Sequence, residues 1–180
     1  MNRLQLEHVI GAAATIAEDT EIVVIGSQSI LGQFPEAPPE LLVSVEADVY
    51  PKNHPERWDL VDGSIGEGSP FHVTFGYYGQ GVDETTAVLP KGWKSRLVPI
   101  STPRTRGATG LCLEVHDLLI SKLVAGRGKD LDFARSVAEH RLANEAVLRA
   151  RLAETQLDER VRSLVAGRIG RLFTEGTRSS

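Results

Sequence analysis

The sequence predicts an α/β (α+β) chain, a mixed sheet with flanking helices followed by an all-helical C-terminal part. Three observations predict it. A short β-branched run, Glu21–Ile25, ends in Gly26-Ser27, the pattern of a buried strand and a tight turn. Leu4, Val9, Ile10, Ala13 and Ile16 recur ahead of it at helical spacing. From Val115 onward the apolar spacing is helical almost to the end. A chain of 180 residues, 41% hydrophobic and 24% charged, suits one domain with a real core. Its α/β core falls on residues 1–113 and its helical part on residues 114–180.

Element by element, residues 2–18 read as an amphipathic helix and Gln28–Leu31 as a short one. Pro35, Pro38 and Pro39 make the next stretch a loop. Leu42–Tyr50 alternates as a strand and stops at Pro51. Pro55–Val61 reads as a helix and Asp62–Pro70 as a glycine-rich turn. Phe71–Phe75 and Leu97–Ile100 read as strands, with a weaker one at Thr86–Leu89, while Ala108–Leu113 is ambiguous. Gly126–Gly128 breaks the helical half, Asn144 caps a third helix and Asp158 a fourth, and Thr174–Ser180 reads as a frayed end.

Composition excludes some functions. The net charge of -4 does not describe a polyanion binder as a whole. Locally, however, Lys91, Lys94, Arg96, Arg104 and Arg106 lie between Glu84 and Glu114 with no acid among them. That stretch is either a solvated loop or a face for phosphates. The five histidines lack ligand spacing, which argues against zinc. Cys112 is the only cysteine and sits in an apolar run, so it reads as a buried structural thiol in a reducing cytoplasm. No apolar run approaches membrane-spanning length, and Glu7 and His8 interrupt any signal-peptide core.

The chemistry concentrates in Ser44-Val45-Glu46-Ala47-Asp48-Val49. On a strand, Ser44, Glu46 and Asp48 share one face and Val45, Ala47 and Val49 the other. Two carboxylates two residues apart repel each other unless a cation lies between them. The pair is therefore either the wet face of an edge strand or a site for Mg²⁺ (or Mn²⁺). The strand ahead runs into Gly26-Ser27, where glycine permits a close turn and the serine with backbone N–H groups can hold a phosphate. A phosphate cradle beside a metal-holding strand is what nucleotidyl transfer needs.

Ile25-Gly26-Ser27 followed by Glu46-Ala47-Asp48 resembles the motif of the nucleotidyltransferase superfamily. Asp117-Leu118-Leu119-Ile120-Ser121-Lys122-Leu123 and then Gly126-Arg127-Gly128-Lys129-Asp130-Leu131 resemble the helical motif of AbiEii-type nucleotidyltransferases, which include toxins of toxin–antitoxin systems. The resemblance implies a nucleotidyltransferase-like fold and a nucleoside triphosphate as substrate. It implies transfer of a nucleotide to a hydroxyl of RNA (such as tRNA) or of a protein acceptor, with a small antitoxin as partner. Glu46 and Asp48 would hold the metal and Gly26 and Ser27 the terminal phosphates. Lys122, Arg127 and Lys129 would meet the triphosphate, with Asp130 supporting Lys122. Three departures from the pattern stand out: Glu46 replaces the usual Asp, Leu42 and Ser44 stand where relatives carry Arg and Thr, and Phe71–Phe75 supplies no third carboxylate. They leave open a second reading, a catalytically degenerate fold serving as a binding or antitoxin-like module.

Helical geometry adds a check. Val115, Leu118, Leu119 and Leu123 form an apolar arc that includes His116 and Lys122, with Asp117 and Ser121 outside it. Lys122 is then either a snorkelling stem or a cation aimed at phosphate. On the next helix Asp130 falls inside the arc of Leu131, Ala134, Val137 and Ala138. Capping the helix is the energetically favoured role for it, and orienting Lys122 or Arg127 is compatible with that.

Overall fold

Residues 1–175 are described in a computed structural model. The chain forms two compact units, Met1–Ala87 with Leu97–Glu114, and Val88–Arg96 with Val115 onward. The first contains, in chain order, α1 (Arg3–Ala17), β1 (Glu21–Ile25), α2 (Ile30–Gln33), β2 (Glu46–Pro51), α3 (Trp58–Ile65), α4 (Pro70–Phe75), β3 (Tyr78–Gly81), β4 (Val98–Ile100) and β5 (Thr109–Cys112). The strands make one mixed sheet of order β3-β2-β1-β5-β4. Strand β1 is antiparallel to β2 and parallel to β5. Strand β2 is parallel to β3, and β4 is antiparallel to β5.

Helix α1 starts where Asn2 and Gln5 exchange side-chain-to-backbone hydrogen bonds of 2.8 and 3.0 Å, and ends at Glu18 in the left-handed region. Asp19 follows, buried, and accepts from the backbone N–H groups of Glu21, Asn53 and His54 and from the Asn53 side chain. Burial pushes its carboxyl up, but these donors outweigh it and hold the group below the ordinary carboxylate value.

Strand alternation settles which face the helices cover. Ile22 and Val24 pair with Pro51 and Val49 on one side and with Gly110 and Cys112 on the other. Helix α1 lies directly on this face. A Cβ on Gly79 would come 2.7 Å from Val9, and one on Gly110 would overlap Ile10, so glycine is what lets the helix approach. Helix α2 covers Cys112 in the same way, with a Cβ on Gly32 falling 2.5 Å from the Cys112 Cβ. Burial pushes the Cys112 thiol up to about 12. Leu6, Val9, Ile10, Ile22, Val24 and Val49 are fully buried in this layer, each worth about 1.5–3 kcal/mol. The opposite face carries Val23, Ile25, Glu46, Asp48, Tyr50, Tyr78 and Gln80.

Four expectations change. Phe71–Phe75 is not a strand but lies in helix α4. Ser69 caps it by accepting the His72 N–H, Pro70 opens it, and Gly76 closes it in the left-handed region. Cap chemistry overrides the aromatic and β-branched content, and Val73 stands 80% exposed. Helix α3 runs to Ile65, so the turn expected over Asp62–Pro70 shrinks to its second half. Thr86–Leu89 forms no strand; Asp83 instead caps a turn at Thr85. Strand β2 begins only at Glu46, leaving Ser44 outside it and Val45 46% exposed.

The second unit contains α5 (Val115–Ala125), α6 (Gly128–Glu139), α7 (Glu145–Ala153) and α8 (Glu159–Glu175). Asn144 and Asp158 cap α7 and α8 as expected. The frayed end expected from Thr174 finds Thr174 within α8, and residues 176–180 lie outside the described residues. The expectation that Asp117 lies outside the buried arc fails: it is fully buried. Arg96 donates to both of its oxygens at 2.8 and 3.0 Å. Arg151 adds an ionic contact at 3.1 Å whose Nε–H is not aligned as a hydrogen bond. A buried carboxylate is tolerated here because two guanidinium groups compensate it. Arg96 therefore leaves the set of cations available to phosphate.

Candidate active site

Three elements meet at the C-terminal end of β1. The strand delivers the chain into Gly26 at φ 72°, ψ -173°, a conformation open essentially to glycine alone. Asp48 is the pairing partner of Ile25, so its carboxylate comes alongside the turn. A Cβ built on Gly26 would overlap Asp48 Oδ2 and sit 3.0 Å from Cγ. The glycine thus does two things at once: it turns the chain, and it leaves room for a carboxylate at the turn. A single 3-10 turn, Ser27–Ser29, follows, in which Ser29 Oγ donates to the Gly26 carbonyl at 2.8 Å. Ser27 is half-buried, and its hydroxyl has no partner among the described residues.

Glu46 lies two residues before Asp48 on the same face. Its neighbour across β3 is Tyr78, whose hydroxyl donates to Glu46 Oε2 at 3.0 Å. Burial, that hydrogen bond, and the charges of Glu46, Glu67 and Asp48 all push the Tyr78 phenol above its ordinary value, so it remains a donor at neutral pH. Gln80, opposite Asp48, donates to Asp62 of α3. His72 of α4 lies against Tyr78 with ring centroids 4.6 Å apart and accepts the Gly68 N–H at 3.0 Å. Tyr78 and His72 are parts of this neighbourhood that sequence reasoning missed. Tyr78 lies in a strand too glycine-rich to recognise, and His72 in a segment read as a strand.

Gln28 was missed as well. It is 1% exposed, and neither atom of its carboxamide has a partner among the described residues. Buried amides are nearly always satisfied, which makes this group beside the Gly26–Ser27 turn anomalous.

In the helical unit the structure brings Lys122, Arg127 and Asp130 together and leaves Lys129 exposed. Lys122 Nζ reaches Asp130 Oδ1 at 3.1 Å and lies 5.8 Å from the Phe133 ring centroid. Arg127 Nε reaches Asp130 Oδ2 at 2.6 Å. The capping role favoured for Asp130 is not what is found: Arg127 occupies the N-cap, and Asp130, fully buried, pairs with side chains. Burial pushes its carboxyl up, but Arg127 and Lys122 outweigh that and hold it below the ordinary value. Lys122 is a buried ion-pair partner rather than a stem reaching to water.

The structure thus places Gly26, Ser27, Glu46 and Asp48 around the end of β1, in the order in which the sequence resembles the nucleotidyltransferase motif. The family described as a nucleotidyltransferase of unknown function (DUF6036) matches the chain over residues 4–164. The chain belongs to this family. No curated protein and no solved structure matches it. The match to DUF6036 reaches into both units and takes in Gly26, Ser27, Glu46, Asp48, Lys122 and Asp130.

As for a metal, no three His, Cys, Asp or Glu side chains are grouped to hold one among the described residues. Glu46 and Asp48 are a hard-oxygen pair, a donor set that fits Mg²⁺ when substrate phosphates and water complete its shell. Among the described residues, no helix is long and apolar enough to cross a membrane.

Proposed function

We propose that this DUF6036 protein transfers a nucleotide from a nucleoside triphosphate to an acceptor hydroxyl, with the Gly26–Ser27 turn and the Glu46–Asp48 pair as the reaction centre. The observation that carries this reading is the fit between Gly26 and Asp48. A carboxylate packed where no side chain can stand, at a turn whose serine hydroxyl is unpartnered, joins an anion cradle to a cation ligand. A divalent cation held there would neutralise the phosphates and polarise the reacting phosphoryl group. Ser27 and the turn would hold the terminal phosphates. Tyr78, by donating to Glu46 Oε2, fixes that carboxylate's rotamer and leaves Oε1 for the cation. In the reaction the acceptor oxygen bonds to the α-phosphorus, the bond to pyrophosphate breaks, and the hydroxyl proton leaves to solvent. Within the AbiEii-like motif, Asp130 orients Lys122 and Arg127, and Lys129 is the exposed cation available to phosphate. A toxin role follows if the acceptor is essential, and growth arrest on expression would support it.

The test is binding and transfer together. Each labelled triphosphate is titrated with Mg²⁺ or Mn²⁺ and then incubated with total RNA and with cell protein. Metal-dependent triphosphate binding that Asp48→Asn abolishes supports the site, and label in either acceptor supports the reaction. Binding unaffected by Asp48→Asn refutes the assignment. The second reading, a binding module without turnover, is favoured by the two-carboxylate donor set. It is the outcome if triphosphate binds through Asp48 and no label moves.

A further inference from the structure

The edge of the sheet beside β3 carries a second feature that the reaction centre does not use. His8 of α1, Phe71 and Phe75 of α4, and Tyr77 pack their rings together. His8 lies 5.0 Å from Phe71 and 4.7 Å, edge-on, from Phe75, and the two phenylalanines are 4.8 Å apart. His8 Nδ1 and the Tyr77 hydroxyl are hydrogen-bonded at 2.8 Å. A cluster this aromatic normally forms a core, yet Phe75 is 46% exposed and His8, Phe71 and Tyr77 are only half-buried.

Two exposed arginines flank the rings. Arg104 and Arg106 belong to the turn after β4, which contacts α1 one helical turn from His8; a Cβ on Gly11 would come 2.8 Å from the Arg104 carbonyl. Both charges act on His8, and Arg104 also on Tyr77. Neither guanidinium has a hydrogen-bond or ion-pair partner among the described residues. The turn that presents them is firmly built. Thr102 and Thr105 cap it reciprocally, and buried Thr105 Oγ1 donates to the Ala108 carbonyl at 2.6 Å. Thr102 Oγ1 donates to Glu7 of α1 at 3.1 Å. Arg106 itself sits at φ 54°, where a non-glycine residue is strained. The turn thus holds both guanidinium groups on a fixed frame at the rim of the rings.

We infer that His8, Phe71, Phe75, Tyr77, Arg104 and Arg106 form a binding surface for single-stranded RNA, with bases stacking on the rings and the two guanidinium groups meeting phosphates. Unpaired bases offer flat π faces to exposed rings, and the strand's charge complements cations that no acid neutralises. Tyr77 directly precedes Tyr78, the residue bonded to Glu46, so the rings lie at the β3 edge of the sheet, on the α1 side and across that edge from the carboxylates. As the acceptor for transfer the RNA rests on the proposed reaction; as a ligand of this surface it does not.

The experiment measures the affinity of the full chain for a fluorescent oligoadenylate of about a dozen nucleotides, without triphosphate and at several salt concentrations. The same measurement is made on DNA of the same sequence and on duplex RNA. The wild type should prefer the single-stranded RNA and weaken as salt rises. Phe75→Ala should lose roughly tenfold in affinity with an unchanged salt slope, since stacking is uncharged. Arg104→Ala with Arg106→Ala should flatten the slope by about 1.4, two single-strand phosphate contacts. Asp48→Asn should bind as the wild type does, which separates failure of the reaction from failure of the surface. No binding at low salt, equal binding of the duplex or the DNA, or variants indistinguishable from the wild type would overturn the inference. So would a wild type that self-associates through Phe75, showing that a second copy covers the rings. Phe75, Arg104 and Arg106 are exposed, and circular dichroism verifies that these variants and Asp48→Asn are folded.

Discussion

Replacing Gly26 with alanine separates two costs that the structure assigns to one position. The first is conformational. At φ 72°, ψ -173° a non-glycine residue loses about 1–3 kcal/mol. The second is steric and specific. The new methyl overlaps Asp48 Oδ2, so the carboxylate must leave its rotamer at about 0.5–1.5 kcal/mol. Gly26→Ala alone should therefore destabilise by about 1.5–4.5 kcal/mol, the sum of those two ranges. In an Asp48→Ala background the nearest remaining atom is the residue-48 Cβ at 3.4 Å, an ordinary contact. Only the conformational cost then survives. A double-mutant cycle by urea unfolding should show a coupling of about 1 kcal/mol between the two positions. Additivity within about 0.3 kcal/mol would mean that the carboxylate does not lie against the turn, and the reaction centre would lose its main support.

Three further outcomes follow from buried groups. Asp130→Asn leaves the Lys122 charge buried without its counter-ion and should cost about 3 kcal/mol in urea melts, whereas Asp132→Asn, on an exposed pair, should cost under about 0.5 kcal/mol. Asp19 has its folded pKa below the unfolded value, so its stabilisation is present above about pH 4 and is lost as pH falls through the lower folded pKa. Urea midpoints measured below about pH 5 should fall less steeply in Asp19→Asn than in the wild type. Gln28→Met replaces an unpartnered amide by a group of similar volume and should stabilise by about 1 kcal/mol; a loss of that size would show that the amide has a partner after all, such as buried water.

Periodicity and turn chemistry reveal a good part of this molecule. The β1 run, the glycine-serine turn, the shared face of Glu46 and Asp48, and the caps at Asn144 and Asp158 follow from spacing, because each depends on neighbours in sequence. What escapes depends on partners distant in sequence. Asp117 reads as a surface residue until Arg96 and Arg151 close over it. Strand β3, Tyr-Gly-Gln-Gly, has almost no β propensity and exists because α1 and α3 need bare backbone to pack on. Helix α4 shows the reverse error, where strand-like composition yields to a serine cap, a proline and a glycine stop. Tyr78 enters the site only through that unrecognised strand, and the His8 ring cluster only through the contact between α1 and α4.

Cys112 turns the packing of α2 against the sheet into a measurable clock. The protein's only thiol is fully buried beneath Gly32, and its raised pKa keeps it protonated and unreactive in the closed state. A thiol reagent can modify it only when α2 lifts away, so the native-state labelling rate reports how often that end of the fold opens. Helix α2 is the continuation of the Gly26–Ser27 turn, so the same rate, followed while a triphosphate is added, reads out whether ligand at the turn fastens the helix behind it.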